Sequence, residues 1–296
     1  MKKYLKRFVF IYGNYLVIKS VISCILPSIV KVRVTWWRNQ DKKLNLKKPL
    51  TYNEKLQWLK LYETQTLELR RKCADKLEVR NYVEQKIGKE YLVKLYGVYN
   101  KSRDINFAKL PKDIVVKLNH DSGSVLLVKN GKIDGFKLKI MDYCLKTDYS
   151  CIRTDSSYSG IKPKIIIEEL LQSDDGKTIK DYKVFCFGGK VKIIEVDIDR
   201  FEGHKRNLYS KDWEKLDLEI KYPSTEKVIE KPKNIEHLII LSEKLAAPFK
   251  HVRVDWYIVN DNFIFGELTF HHSSGFDKFN NYEWEIKMGN WIVLDT

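Results

Sequence analysis

The chain has 296 residues, of which 44% are hydrophobic and 31% are charged, and this composition predicts one large or two modest folded domains with a real core. Its five cysteines are odd in number, scattered and without a C-x-x-C pair, which argues against a disulfide framework or a zinc site and favours a reducing cytoplasm. The formal net charge of +15 sits mainly at one end, because residues 1–48 contain 12 Lys and Arg but one acid, Asp41.

This N-terminal arm, residues 1–48, combines an apolar stretch with basic and tryptophan-rich flanks. Residues 8–30 are mostly apolar, although Asn14 and Lys19 interrupt them. Two interpretations are open: a helix packed on the protein's own body, or one that lies on an anionic membrane surface. A membrane span is disfavoured because Lys19 falls near the middle of the stretch, and no A-x-A cleavage signal follows. Nucleic-acid binding is disfavoured because no zinc-finger, RNP-like or bZIP pattern accompanies the charge.

The remaining elements follow from hydrophobic periodicity and from turn-forming residues. Thr51 or Asn53 is the candidate N-cap of the first helix after the arm. The charges of the next helix indicate a solvated face. The predicted helices span 54–63, 67–86 and 137–149; the predicted strands span 91–99, 114–118, 125–128, 165–171, 182–187, 191–198, 252–259 and 263–270; and 149–162 is predicted to be a mobile loop.

A loop of small residues after the strand 114–118 is a candidate phosphate site. Lys117 ends that strand, and Ser122, Gly123 and Ser124 follow in the loop. Backbone N–H groups of such loops can bind phosphate oxygens, and a lysine at the strand end can reach the same oxygens. An ordinary hairpin loop has the same composition. The Walker A and G-x-G-x-x-G sequences are absent.

The two strands 252–259 and 263–270 indicate a metal site. With Asn260-Asp261-Asn262 as the loop, the ladder places Asp255 opposite Glu267 and Arg253 opposite Thr269, all on one face. Two facing carboxylates repel unless a proton or a cation lies between them, and a hard cation such as Mg²⁺ prefers such oxygen ligands. A loop of two or four residues would put the carboxylates on opposite faces. An ordinary solvated hairpin face is the alternative.

Asp197-Ile198-Asp199 has the D-x-D spacing by which many glycosyltransferases hold a metal and a sugar nucleotide, although such short patterns recur by chance. The loop that follows is cationic and includes Lys205 and Arg206, which suits a polyphosphate. Of the adjacent pair His271 and His272, one is a substrate-side candidate.

These pieces occur in an order that resembles the ATP-grasp superfamily, and more closely its branch in bacterial surface-polysaccharide and teichuronopeptide biosynthesis. The order runs from P-x-T-Y-N-E-K-L-Q-W-L-K at residues 49–60, through Lys117 and its loop, Glu168-Glu169 and the DYKVFCFGG hairpin, to Arg253-x-Asp255 and Glu267-x-Thr269. The resemblance implies an α+β ATP-grasp fold, in which two α+β subdomains clasp ATP behind a basic helical arm. The expected division is 1–48 for the arm, 49–100 for a helical region, 101–167 for the lid subdomain and 168–296 for the C-terminal subdomain.

The resemblance also implies a set of site residues that bind ATP and Mg²⁺. Thr269 departs from the Asn usual in D-alanine:D-alanine ligases, although a hydroxyl can still bind the metal. Phosphate contacts are assigned to Lys117, Ser122, Gly123, Ser124 and Lys183; the adenine hinge to Glu168, Glu169, Leu170 and Leu171; the metal to Asp255, Glu267 and Thr269; and catalytic cations to Arg253, Lys205 and Arg206.

The activity implied is that of an ATP-dependent carboxylate-amine ligase that forms an acyl phosphate and then an amide. For this branch the expected partners are an amino acid and a uronic-acid-containing glycan or nucleotide sugar. The expected location is the cytoplasm, peripheral on the inner face of the membrane through the arm. Two other classes stay open: a glycosyltransferase that uses Asp197 and Asp199 without ATP, and a non-catalytic adapter that binds membrane or nucleic acid through the arm.

Overall fold

Two antiparallel sheets form the framework of the computed structural model, which describes residues 2–172, 179–198 and 203–295, with side chains from Phe8 onward. The small sheet has the strand order β1-β4-β2-β3, and the large sheet has the order β7-β6-β5-β8-β9. The strands are β1 Leu95–Tyr99, β2 Ile114–Leu118, β3 Val125–Val128, β4 Ile165–Glu169, β5 Asp181–Phe187, β6 Lys190–Ile198, β7 Lys205–Ser210, β8 His251–Val259 and β9 Asn262–Thr269.

Helices cover both sheets, and five of them precede the first strand in the described part of the chain. They are α1 Lys2–Ile25, α2 Ser28–Asn39, α3 Tyr52–Tyr62, α4 Leu67–Ala74, α5 Val79–Lys86, α6 Gly135–Cys144, α7 Tyr149–Arg153, α8 Ile235–Ala246 and α9 Tyr282–Asn290. The mixture of helices with two antiparallel sheets confirms the predicted α+β class. β1 lies within the segment 49–100 of the expected division, but it pairs with β4 in the small sheet.

The small sheet has one apolar face and one polar face because side chains alternate along a strand. Ile114, Val116 and Leu118 of β2 point into a core that includes Met141 of α6. Lys117 of β2 points the other way, and so does Glu168, since Glu168 pairs with Val115 in register. The polar face therefore carries a lysine and a glutamate on adjacent strands.

One face of the large sheet is completely buried, and the other has an apolar part and a charged part. On the first face, strand residues such as Val184, Val254 and Trp256 pack into a core with α8. On the second face, Phe185 and Ile193 pack beneath residues of α3 and α9. The rest of the second face is charged, and it is the candidate functional surface.

The segment between the arm and the small sheet differs from the prediction in two places: the helix predicted for 67–86, and the strand predicted for 91–99, which begins only at Leu95. Thr51 caps α3 through a capping box with Glu54, which confirms the predicted N-cap. The single helix predicted for residues 67–86 is wrong, because α4 ends at Ala74 and α5 begins at Val79. The carboxylate of Asp75 accepts the backbone N–H of Leu77 at 2.8 Å, which competes with the helical hydrogen-bond pattern.

The first helix of the arm packs on the small-sheet side of the molecule, against α6 and α7. Gly13 allows the close approach, because a Cβ there would lie 2.4 Å from the ring of Tyr143. Cys24 and Cys151 form a disulfide that links α1 to α7. This bond contradicts the expectation, drawn from the scattered cysteines, that the chain has no disulfide and belongs in a reducing compartment. The expectation of a mobile loop at 149–162 was wrong for α7, Tyr149–Arg153.

The second helix of the arm reaches the large-sheet side. Trp36 is 2% exposed, and its ring lies 6.4 Å from that of Phe276, which follows β9. The side chain of Gln40 donates a hydrogen bond of 3.1 Å to the carbonyl of Phe276. At the start of α2, Lys31 donates to the carbonyl of Cys151 at 2.9 Å. The arm is thus attached to both sides of the molecule.

Candidate active site

The hairpin of β8 and β9 places two carboxylates directly opposite one another. Asp255 pairs with Glu267, and Arg253 pairs with Thr269, so the predicted pairing is confirmed. The predicted three-residue loop is wrong, because the turn contains two residues, Asn260 and Asp261, with φ values of 50° and 62°. Positive φ at both turn positions is typical of the tightest hairpins.

A bulge restores the pairing that the shorter turn would have prevented. Trp256 pairs with Phe265 and Asp255 with Glu267, so Gly266 has no partner of its own in the ladder. A Cβ at Gly266 would lie 3.0 Å from the carbonyl oxygen of Asp255. Glycine thus permits the close approach that brings Glu267 to the same face as Asp255.

Arg253 organises the four side chains of this face. Its guanidinium donates to both oxygens of Asp255 at 2.6 Å each and to the hydroxyl of Thr269 at 3.2 Å. The Thr269 hydroxyl donates in turn to Glu267 at 3.2 Å, and Arg253 lies 3.8 Å from the same carboxylate. The arginine therefore holds both acids in place.

Burial opposes the ionisation of Asp255 on the hairpin face. Burial raises the pKa of Asp255 to about 7, although Arg253 and Lys183 act to lower it. Glu267 adds to the rise because it repels the second carboxylate. A divalent cation would relieve that repulsion, and two carboxylates with a hydroxyl are the oxygen donors that Mg²⁺ accepts. These residues fit a magnesium ion.

A second cluster of buried charge adjoins the hairpin on β5, β6 and β7. Lys183 lies opposite Asp255 in register and donates to Asp181 and, at 2.7 Å, to Asp197. Asp197 also accepts from His204 at 2.8 Å and from Arg206 at 2.9 Å. Asp197 is therefore bound by three cationic or titratable groups, and its predicted partner Asp199 lies outside the described residues.

Sequence reasoning missed Glu195, which completes this second cluster. Glu195 is fully buried and lies 3.0 Å from the guanidinium of Arg206. Burial raises the pKa of Glu195, against the opposing effect of Arg206, Arg253 and Lys183. Its position between the apolar residues Ile194 and Val196 was the available signal, since a buried acid requires a cation as its partner.

The small sheet supplies cations to the same cleft. Lys117 lies 2.5 Å from Glu168, and Arg80 of α5 lies 3.4 Å from the same carboxylate. Lys117 is also close enough to Glu267 of the large sheet to help lower the pKa of that group. Burial would raise the pKa of Glu267, but Lys76, Arg253 and Lys117 together outweigh it. The charged face of the small sheet therefore lies within electrostatic range of Glu267 on the large sheet.

Lys76 is a further functional candidate that sequence reasoning assigned to a solvated helix face. It lies in the break between α4 and α5, where its backbone N–H donates to the carbonyl of Asn119 at 3.0 Å. The Asn119 side chain donates to Asp75 at 2.9 Å, and the Lys76 ammonium donates to the carbonyl of Asp121. Of the cations that lower the pKa of Glu267, Lys76 has the largest effect. No spacing in the sequence distinguishes it from its charged neighbours.

The other predicted site residues are largely exposed or make contacts outside this group of charged side chains. Ser122 and Gly123 are exposed at the tip of their loop, and Ser124 donates to Asp121. Lys205 is exposed and, by strand alternation, lies on the face opposite Arg206. Glu169, Leu170 and Leu171 follow the buried part of β4 and are at least partly exposed.

The two histidines that follow β9 are buried and differ in their partners. His271 lies 2.8 Å from the carboxylate of Asp155. His272 lies 3.5 Å from Asp277 and packs edge-on against Phe185, with ring centroids 5.3 Å apart. The structure thus brings His271 to the end of the strand that carries Glu267 and Thr269, with an acid as its partner.

Solved structures that are similar to this chain include three ligases and synthetases of low sequence identity. D-alanine–D-alanine ligase from Bacillus anthracis complexed with ATP is 18% identical over 67% of this chain and 53% of that chain, with a TM-score of 0.39. The Helicobacter pylori enzyme of the same name is 14% identical over 75% and 61%, with a TM-score of 0.40. The ADP complex of N5-carboxyaminoimidazole ribonucleotide synthetase is 13% identical over 73% and 50%, with a TM-score of 0.42.

This chain spans between 50% and 61% of the length of these three solved proteins. No curated protein sequence matches it. The model of the TupA-like ATP-grasp family matches residues 54–293, which is most of the chain and includes the cleft-lining residues described above. This match confirms the resemblance seen in the order of the motifs. The chain therefore belongs to the TupA-like ATP-grasp family.

Proposed function

We propose that the protein is an ATP-dependent ligase that activates a carboxylate as an acyl phosphate and joins it to an amine. One observation carries the proposal: the facing pair of Asp255 and Glu267, tied by Arg253, meets the cations Lys117 and Lys76 across a cleft between two sheets. Carboxylates that hold a divalent cation, next to ammonium groups that hold phosphate oxygens, are the parts that phosphoryl transfer requires.

The roles of the residues follow from their charge and hydrogen bonding. Asp255, Glu267 and Thr269 would hold Mg²⁺, and Lys76, Lys117 and Lys183 would contact phosphate oxygens of ATP. When bound, Mg²⁺ with ATP supplies an electrophilic phosphoryl group. Arg253 offsets the negative charge that develops as that group is transferred to the substrate carboxylate.

Other parts of the site have supporting roles in this proposal. The adenine would be lined by Glu169, Leu170 and Leu171. Glu168 would hold Lys117 in place through their ion pair. Ser122, Gly123 and Ser124 would close over the phosphates from their exposed loop. Arg206 stabilises the neighbouring acids Glu195 and Asp197, and Lys205 would act only at the cleft margin.

The substrates proposed are an amino acid and the uronic acid of a bacterial surface glycan, carried on a nucleotide or on a lipid. The resemblance of the motif order to the surface-polysaccharide branch of ATP-grasp proteins supports this substrate class. An acyl phosphate at the uronic carboxylate would be attacked by the amine, which forms the amide and releases phosphate. Such intermediates are made in the cytoplasm and at the inner face of the membrane, and we place the protein there.

The glycosyltransferase alternative receives less support from the side chains. It requires Asp197 to be free for a metal, whereas Asp197 contacts Lys183, His204 and Arg206. Desolvation acts to raise the pKa of Asp197, but Lys183 and Arg206 lower it overall. A carboxylate with three such partners is better suited to holding those side chains in place than to binding a metal ion.

The test is ADP release by the purified protein with ATP, Mg²⁺, a uronic-acid nucleotide sugar and an amino-acid mixture. Hydroxylamine in place of the amino acids would trap an acyl phosphate as a hydroxamate, which identifies the intermediate whatever the natural amine is. We expect ADP and hydroxamate to form together and only when the uronic acid is present. ATP binding without either product would point to a lipid-linked acceptor, whereas no ATP binding would overturn the proposal.

A further inference from the structure

The first helix of the arm has one face seated on the protein and one face left uncovered. On the seated face, Val9 and Ser20 are 7% and 3% exposed, and Gly13 lies against Tyr143. Ser20 accepts the backbone N–H of Asp148 at 2.8 Å. These contacts recur along the helix, so α1 is fastened to α6 and α7 over most of its length.

The uncovered face of α1 is a continuous apolar stripe. Ile11, Tyr15, Ile18, Ile22 and Ile25 recur at intervals of four and three residues, which places them on one side of a helix. Each is more than half exposed, from 54% for Tyr15 to 75% for Ile25. Isolated exposed apolar side chains are normal, but a stripe of this length indicates a binding surface.

The second helix repeats the pattern on a smaller scale. Val32 and Trp36 are buried, whereas Val30, Val34 and Trp37 are 43%, 51% and 82% exposed. Arg33 and Arg38 are exposed beside them. A tryptophan next to cations is typical of the boundary between lipid headgroups and acyl chains.

We propose that the uncovered faces of α1 and α2 dock the protein on an anionic lipid bilayer, with α1 parallel to the membrane plane. Charge complementarity selects this occupant, because residues 1–48 hold 12 basic residues and one acid. A second copy of the arm would bring like charges together, and nucleic acid would leave the isoleucine stripe in water. The 18-residue apolar window Phe8–Ile25 is long enough to span a membrane, but spanning would require α1 to leave α6 and α7.

This inference serves the proposed function, since docking would bring the ligase to lipid-linked substrates, but it can be tested without any substrate. The purified full chain is sedimented with vesicles of phosphatidylcholine and phosphatidylglycerol (7:3) and with vesicles of phosphatidylcholine alone. We expect the partition coefficient to be at least tenfold higher on the anionic vesicles and to fall as salt is raised.

The matched variants separate the stripe from general surface hydrophobicity. Ile18→Glu with Ile22→Glu should lower the partition coefficient on anionic vesicles at least tenfold. Val228→Glu with Val293→Glu should leave it unchanged, because these residues are 86% and 74% exposed but lie outside the arm. Thermal unfolding and ATP binding of both double variants should match those of the wild type, which shows that the fold is intact.

Three results would overturn the proposal. One is equal binding of wild type and stripe variant to anionic vesicles. Another is resistance of the bound protein to carbonate extraction at high pH, which would indicate a membrane span. The third is a dimer in sedimentation equilibrium that the stripe variant abolishes, which would assign the face to a second copy. Loss of lipid binding with retained ADP release, or the reverse, would tell this inference apart from the proposed ligase activity.

Discussion

Asp255 faces Glu267 across two strands whose connecting turn is one residue too short for that pairing in a regular ladder. The bulge at Gly266 supplies the missing residue, so the two carboxylates share a face with Arg253 and Thr269. This relationship makes the acid pair the first target for mutation.

Glu267→Gln should lower the rate of ADP formation by about 10²-fold or more, because it removes a negatively charged ligand from the proposed magnesium site. The ligand-free protein should be somewhat less stable than the wild type, since, despite burial, Lys76, Arg253 and Lys117 lower the pKa of Glu267 and its ionised form therefore stabilises the fold. Steady-state kinetics and thermal unfolding with and without Mg²⁺ and ATP measure the two effects. Asp261→Asn, at the exposed turn of the same hairpin, is the control and should behave as wild type. Full activity of Glu267→Gln would remove this residue from the site.

Lys76→Met should raise the KM for ATP or lower kcat/KM by about 10- to 100-fold, the range expected when one charged hydrogen bond to phosphate is lost. The reason is its position between the loop after β2 and Glu267. Lys72→Met, on the exposed face of α4, removes the same charge outside the cleft and should have no effect. If both variants lose activity equally, the effect is one of net charge and not of position.

Asp197→Asn should destabilise the folded protein by about 3 kcal/mol, because it leaves the buried cations Lys183 and Arg206 without their shared acid. Urea denaturation gives the free energy of unfolding, and Asp212→Asn at an exposed position provides the comparison. An unchanged stability combined with loss of metal-dependent sugar transfer would support the glycosyltransferase alternative instead.

The imidazole of His251 should make the fold sensitive to acid. Its two nitrogens are bonded to the hydroxyl of Tyr52 and the carbonyl of Cys186, both at 2.9 Å, and burial lowers its pKa to about 3. In the unfolded chain the pKa returns to about 6.5, so the unfolded state binds the extra proton between these values. The stability due to neutral His251 is complete above pH 6.5 and declines as the pH falls towards 3.

This effect of His251 amounts to about 2 kcal/mol between pH 8 and pH 5. Urea denaturation at both values should show a smaller difference for His251→Gln than for the wild type. His237→Gln, at an exposed helix position, should retain the wild-type difference. The explanation fails if the free energy of unfolding changes equally with pH in the two variants.

The sequence predicted those features of the fold that depend on residues close together in the chain. Thr51 with Glu54 is a capping signal. The pairing of Asp255 with Glu267 was predicted correctly from an incorrect loop length, because a turn and a bulge cannot be told apart by counting residues.

What the sequence could not predict depends on contacts between distant segments. Lys76 reaches the cleft because Asn119, 43 positions later, holds the break between α4 and α5. Glu195 is tolerated in a buried strand because Arg206 lies on the next one. The bond between Cys24 and Cys151 spans 127 residues, and no local periodicity reports such a pairing.

The arm is fastened at one end to α6 and α7 and at the other to the segment after β9. It therefore runs outside the cleft as a strap between the two sheets that enclose it. A widening of the cleft would stretch α2 or release either the hydrogen bond from Lys31 to Cys151 or the packing of Trp36 on Phe276. In the proposed ligase, the segment least connected to the chemistry would therefore limit how far the nucleotide site opens.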